Sequence, residues 1–277
     1  MCKVGFFTTT TATSTPTNPY AQLINIFHKN RFNSKFEFKT AILLALYLVL
    51  GPFNLYGQKN DVQNWNSAVV DLNFAPFLFE LEVDYNRLVS GGPEWREYAI
   101  QPSIEFYPNN SFDFYAGVYF SETVQDDIND TKELRPLIGI RWNIIKPEKR
   151  IYVKLNVKLE HRFFNSKSGN NNNNSTRLRT RLDFILPITK KSYNEDKDLY
   201  AILRSEVFEN FKTDIQERFQ STFKQHLGLG YRFNYTWRFD AVYIYQESYN
   251  SIEADAPDNT SNVLSFTLKH FIRTKPK

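Results

Sequence analysis

Sulfur is nearly missing from this chain, which has one cysteine, Cys2, and one methionine among its 277 residues. A single cysteine excludes an intramolecular disulfide framework and a zinc site made of cysteines alone. Long apolar runs are also missing. None approaches the roughly 18 residues that a membrane-crossing helix needs, and mean hydropathy is -0.48, so a helical membrane protein is excluded. Neither sign of charge dominates. Lys and Arg number 34 against 30 Asp and Glu, and the two are interspersed, which excludes a nucleic-acid-binding tail. The chain is instead rich in aromatics, with 25 Phe and 16 Tyr. Its length permits one large domain or two small ones, with a core that needs no disulfides.

Residues 1–34 show no periodicity. Thr, Ser and Pro dominate 8–17, a low-complexity stretch that reads as disorder or as a start site placed upstream of the true one. Lys35 and Lys39 then precede a continuous apolar run over 41–50, broken by Gly51 and Pro52 and followed by Leu55-Tyr56-Gly57. A cationic region, an apolar region of about ten residues and a small exit residue describe a secretory signal peptide over 35–57. The mature barrel domain is then 58–277. Because no cysteine follows the apolar run, a lipid anchor is not expected.

From Trp65 onward the pattern has period two. In Phe77-Leu78-Phe79-Glu80-Leu81-Glu82-Val83-Asp84-Tyr85 the odd positions are apolar and the even ones largely acidic; 151–160 repeats this with lysines. Successive strand side chains point to opposite faces, so each segment has one apolar and one charged face. Eleven such segments are predicted: 65–74, 77–87, 95–107, 112–124, 132–145, 151–164, 175–188, 199–211, 217–232, 235–248 and 261–272. Short connections alternate with longer polar ones, as in an antiparallel up-and-down transmembrane β-barrel of about 10–12 strands. The turn at 190–198 is longer than its side of the barrel should have. Eleven is also an odd number, whereas bacterial single-chain barrels usually have an even one. Either a strand is missed, or one segment is not a strand, or the barrel closes through a parallel pair.

The strands are longer than the usual 5–6 residues but suit a tilted bilayer crossing. Aromatics such as Trp65, Tyr98, Phe106, Phe112, Phe120, Trp142, Phe219, Tyr231, Trp237 and Tyr245 recur where the apolar face starts or ends, like the interface girdles of an outer-membrane barrel. The apolar face is therefore expected outward, at Leu81, Val83, Ile138, Ile140, Leu155 and Val157 among others. The ionic face is expected to line a lumen with Glu80, Glu82, Asp84, Glu97, Glu105, Arg135, Arg141, Lys154, Lys158, Arg177, Arg179, Arg181, Glu206, Lys224, Arg238 and Asp240. Acids come from the second to fourth strands and bases mostly from the fifth to seventh. Pairing across the lumen is expected, either plugging a small barrel or leaving a narrow pore with a transverse field.

Several stretches resemble a known family. They are Trp65-Asn66-Ser67-Ala68-Val69-Val70, Glu133-Leu134-Arg135-Pro136, Glu160-His161-Arg162-Phe163-Phe164, Arg177-Leu178-Arg179-Thr180-Arg181-Leu182, Ser205-Glu206-Val207-Phe208 and Leu227-Gly228-Leu229-Gly230-Tyr231-Arg232-Phe233. Together they resemble domain of unknown function 2490, over about Trp65 to Ile272. The resemblance implies an outer-membrane β-barrel of Gram-negative bacteria and carries over no catalytic residue.

Signals of chemistry are few. His161 shares the parity of the apolar face, where a lipid-modifying enzyme, a hydrolase or deacylase, would need it beside a serine such as Ser121, Ser205 or Ser221. No nucleophile elbow accompanies it. That enzyme is the alternative to a structural or narrow-pore barrel passing small polar solutes. The loop Asp126-Asp127-Ile128-Asn129-Asp130 lacks the central glycine and terminal glutamate of a helix-loop-helix calcium site. No catalytic residue, metal site or cofactor is assigned. The partners expected are membrane lipid and lipopolysaccharide, and the barrel-assembly machinery during insertion; nucleic acid is not expected.

Overall fold

A computed structural model describes residues 60–126, 130–166, 173–211, 220–249 and 259–273. The expected extension 1–34 and signal segment 35–57 lie outside the described residues, as do Phe219 and most of the acidic loop. Eleven strands form: β1 (Asn60–Phe74), β2 (Phe77–Ser90), β3 (Trp95–Phe106), β4 (Phe112–Gln125), β5 (Thr131–Ile145), β6 (Tyr152–Ser166), β7 (Asn173–Pro187), β8 (Asp198–Asn210), β9 (Gln220–Arg232), β10 (Trp237–Tyr249) and β11 (Asn259–Arg273). They close into a barrel in sequence order. Among the described residues no helix is long and apolar enough to cross a membrane.

The odd strand number is resolved at the seam. β1 and β11 pair in parallel, in unbroken register from Asn60↔Thr260 to Asn73↔Arg273, while neighbours elsewhere are antiparallel. Eleven strands reverse direction ten times, so the first and last point the same way. The chain enters the barrel at the long-loop end and leaves at the short-turn end.

Local chemistry sets the short turns. Asn109 accepts hydrogen bonds from the backbone N–H groups of Ser111 and Phe112 at 2.8 and 3.0 Å. Asn234 does the same for Thr236 and Trp237. Such side chains mimic a backbone turn and reverse the chain in few residues. The predicted strands agree with the observed ones to within a few residues except at β1, which begins five residues early, at Asn60. Its first residues are polar on both faces. Gln63 points inward and donates to Ser261 at 3.2 Å, whereas Asn64 points outward and donates to the Leu264 carbonyl at 3.2 Å. Both contacts lie across the parallel seam, where polar partners replace the apolar alternation that marks a strand.

Candidate functional site: a charged barrel interior

The strand pleat divides apolar from ionic side chains. Leu81, Val83 and Ile138 are exposed on the outer surface, Ile138 by 59%. Aromatics ring the short-turn end of that surface. Phe77 and Phe106 meet at 5.3 Å, Phe112 stacks on Trp142 at 6.1 Å, and Trp237 lies 4.1 Å from His270. At the other end Tyr85 and Tyr98 meet at 5.2 Å. Trp65 departs from the expected outer set. It faces inward beneath the Lys224 ammonium, 4.5 Å away, and donates to Gln63 at 2.9 Å.

Inside lies a cavity of about 380 Å³, bordered by Glu80, Glu82, Asp84, Glu97, Arg135, Arg141, Lys158, Arg177, Arg179, Arg181, Lys224 and Asp240. The other four expected residues stand on the inner face and join this set through partners. Glu105 pairs with Arg141, Glu206 with Arg179, and Lys154 lies 3.8 Å from Asp183. Arg238 donates to the Tyr193 hydroxyl.

Charge is segregated, but the pairing differs from that expected. The inner face of β1–β4 carries Asp61, Asp71, Glu80, Glu82, Asp84, Glu97, Glu105 and Asp113, and no lysine or arginine. Its carboxylates were expected to meet the bases across the lumen. Arg141 does reach Glu105, and Lys269 bridges Asp71 and Glu80 at 3.0 and 2.7 Å. The bases of β5–β8 find acids within their own wall. Arg135 and Arg162 share Glu133, with Nε donors at 2.6 and 2.7 Å. Arg177 pairs with Glu160, Lys158 reaches Glu160 at 2.7 Å, Arg179 pairs with Glu206, and Arg204 with Asp183. Inward side chains of adjacent strands are about 5 Å apart at Cβ, much closer than the opposite wall, so acids on β5–β8 capture these bases first.

The interior is also partly apolar. Ile185, Ile202, Val242, Ile244 and Val263 pack with Tyr193 and Tyr200 into a buried cluster. Tyr193 comes from the turn that looked too long. Its ring meets those of Tyr152 at 5.7 Å and Tyr200 at 4.9 Å, its carbonyl accepts from Arg232 at 3.2 Å, and the Arg238 guanidinium lies 4.3 Å from its centroid. The turn thus folds back and fills the short-turn end of the barrel. The signal for the apolar cluster was in β10, where 241–245 is apolar at every position. Tyr200 fits because Gly230 has no side chain: a Cβ there would lie 2.2 Å from the ring.

The outer face offers little catalytic geometry. His161 Nδ1 lies 2.8 Å from the Thr176 hydroxyl and its ring packs on Phe163 at 4.5 Å. Of the serines considered, Ser121 borders a second pocket walled by the outward Tyr98, Ile100, Phe120, Leu134 and Phe163, Ser221 borders the interior cavity, and Ser205 accepts from Gln225 at 3.1 Å. None is brought to His161. Among the described residues no group of three or more His, Cys, Asp or Glu is placed to hold a metal ion. The sequence places His226 within a strand without giving it a role; it borders the cavity at 6% exposure.

Comparison with curated proteins finds no match. A family model, described as protein of unknown function (DUF2490), matches residues 62–256, from within β1 to beyond the end of β10. With an up-and-down barrel, an apolar outer face and an ionic inner one already established, that match over most of the chain shows that it belongs to the DUF2490 family.

Proposed function

We propose that the protein is an outer-membrane β-barrel of structural or narrow-pore type, with a charge-segregated, salt-bridged lumen that admits small polar solutes at most. The observation that carries this reading is the inverted pleat. Large apolar side chains stand on the outside, while Arg, Lys, Glu and Asp occupy the inside. A soluble barrel would bury its apolar set and hydrate its charges. Strands of 12–15 residues, aromatic rows near both rims and the export-type segment at 35–57 support the same reading. The Tyr193 turn and the internal ion pairs favour a restricted lumen over an open channel. Lipid and lipopolysaccharide are then its surroundings, and the barrel-assembly machinery its partner during insertion.

Cell fractionation tests this reading. The protein should sediment with outer-membrane markers and migrate faster on gels before boiling than after it. Recovery as a soluble periplasmic protein would overturn the proposal.

A further inference from the structure

Two neighbouring inward carboxylates on β2 and two basic side chains on β9 stand outside the ion-pair networks of β5–β8. Glu82 borders the cavity, and among the described residues no hydrogen bond or ion pair holds it. Asp84, beside it on the same face, is held only by the Ser67 hydroxyl at 2.6 Å. On β9, Lys224 touches the rings of Trp65 and Phe208 at 4.5 and 5.3 Å, with no carboxylate within ion-pair distance among the described residues. His226 is 6% exposed, yet neither ring nitrogen has a hydrogen-bond partner; the nearest carboxylate, of Glu206, lies 3.8 Å from Nε2. His226 is the buried one of these four, the others being half-buried; a buried polar group is nearly always satisfied, and an exception calls for an unseen partner.

The two pairs do not satisfy each other because of topology. β10, β11 and β1 separate β9 from β2 around the barrel. Glu82, Asp84, Lys224 and His226 nevertheless all border the same interior cavity. Acidic and basic groups thus face each other across one cavity of about 380 Å³, within the range of small-molecule sites. A lone anion would leave the carboxylates unmatched, and a lone cation would leave Lys224. A molecule with both charges answers both walls.

We propose that this cavity binds a small zwitterion, with its ammonium group against Glu82 and Asp84 and its carboxylate or phosphate against Lys224 and His226. The inference rests on the reading of the ionic face as a lumen and adds the class of solute it holds. Trp65 and Trp95 border the cavity, so their fluorescence reports occupancy. The test uses the folded barrel in detergent with O-phosphoethanolamine and β-alanine as zwitterions. Phosphate, acetate and ethylammonium serve as the separated halves, at constant ionic strength. One zwitterion should bind at least tenfold more tightly than either of its halves, and whichever does so identifies the anionic group. Glu82→Gln with Asp84→Asn should reduce its affinity to that of the anion alone, and Lys224→Gln to that of ethylammonium.

Equal binding of zwitterion and anion by the wild-type barrel would overturn the proposal, as would no binding of any probe to barrel that migrates as folded. This comparison needs no variant and so survives any that misfold. A barrel that fractionates with the outer membrane but prefers no zwitterion loses only this inference. One that binds the zwitterion but fractionates as soluble loses only the membrane reading.

Discussion

The guanidinium of Arg238 lies over the Tyr193 ring, 4.3 Å from its centroid, and donates to its hydroxyl. This contact draws the β7–β8 turn into the barrel. Asp198 secures the base of the turn by accepting from the Thr189 hydroxyl at 2.9 Å and the Lys190 N–H at 3.0 Å. The long turn is therefore a plug whose aromatic tip completes an apolar cluster inside the barrel.

Tyr193→Ala removes that tip. Deleting a buried aromatic ring costs about 3–5 kcal/mol, so the variant should melt well below the wild type. It should also conduct measurably more in planar bilayers, because the short-turn end loses its obstruction. A variant unchanged in both melting and conductance would show that the turn does not close the barrel.

Glu133 is the shared acceptor of two buried guanidiniums, those of Arg135 and Arg162. Glu133→Gln keeps the shape and removes the charge, leaving two cations side by side. Breaking a buried ion network this way costs about 3–5 kcal/mol, whereas replacing all its members with apolar residues is often neutral. The single variant should therefore unfold at clearly lower urea than the triple variant Glu133→Leu, Arg135→Leu, Arg162→Met. If the two unfold together, water rather than the network solvates these charges.

The sequence showed the architecture because a barrel wall repeats one local rule. Each residue's face follows from parity alone, so 77–85 and 151–160 could be read without knowing their neighbours. Three features were not legible, each for want of a partner's position. Asn60–Asn64 belongs to β1 through contacts with β11, nearly two hundred residues away, and shows no alternation. Trp65 was assigned outward as an interface aromatic, but its indole covers Lys224 and donates to Gln63. The ion pairs were expected across the lumen, yet acids such as Glu160 and Asp183 lie one strand from the bases they meet. Charge segregation is a property of composition along the chain, whereas pairing depends on reach.

Ile138 stands at the middle of β5 on the outer face, opposite Leu159 of β6 and Ala116 of β4. In a bilayer, Ile138→Arg should cost roughly 2–4 kcal/mol, against about 0–1 for Val89→Arg near the end of β2. Folding yields into lipid vesicles, measured by the gel shift on boiling, should rank the two variants in that order. Equal yields would place the outer face in water.

The parallel seam makes a prediction that separates this closure from an even-stranded barrel. Ser67 of β1 pairs with Thr267 of β11; both belong to the inward set, and Thr267 borders the cavity along with Ser67. Leu268, one residue on, is exposed on the outer surface. A short bifunctional thiol reagent should therefore link Ser67→Cys to Thr267→Cys efficiently, and Ser67→Cys to Leu268→Cys poorly, since the wall stands between the latter two side chains. A missed twelfth strand would instead insert between β1 and β11, moving them from about 5 Å to about 10 Å apart, beyond the reagent's reach. Neither pair would then react, while Ser67→Cys with Asp84→Cys, partners across the antiparallel β1–β2 ladder, would still link. Gel mobility of the three double variants in folded barrel of residues 58–277, in which the introduced pair are the cysteines present, reads the result directly. Linking of the Thr267 pair together with the Asp84 pair, and not of the Leu268 pair, would fix both the closure and its register.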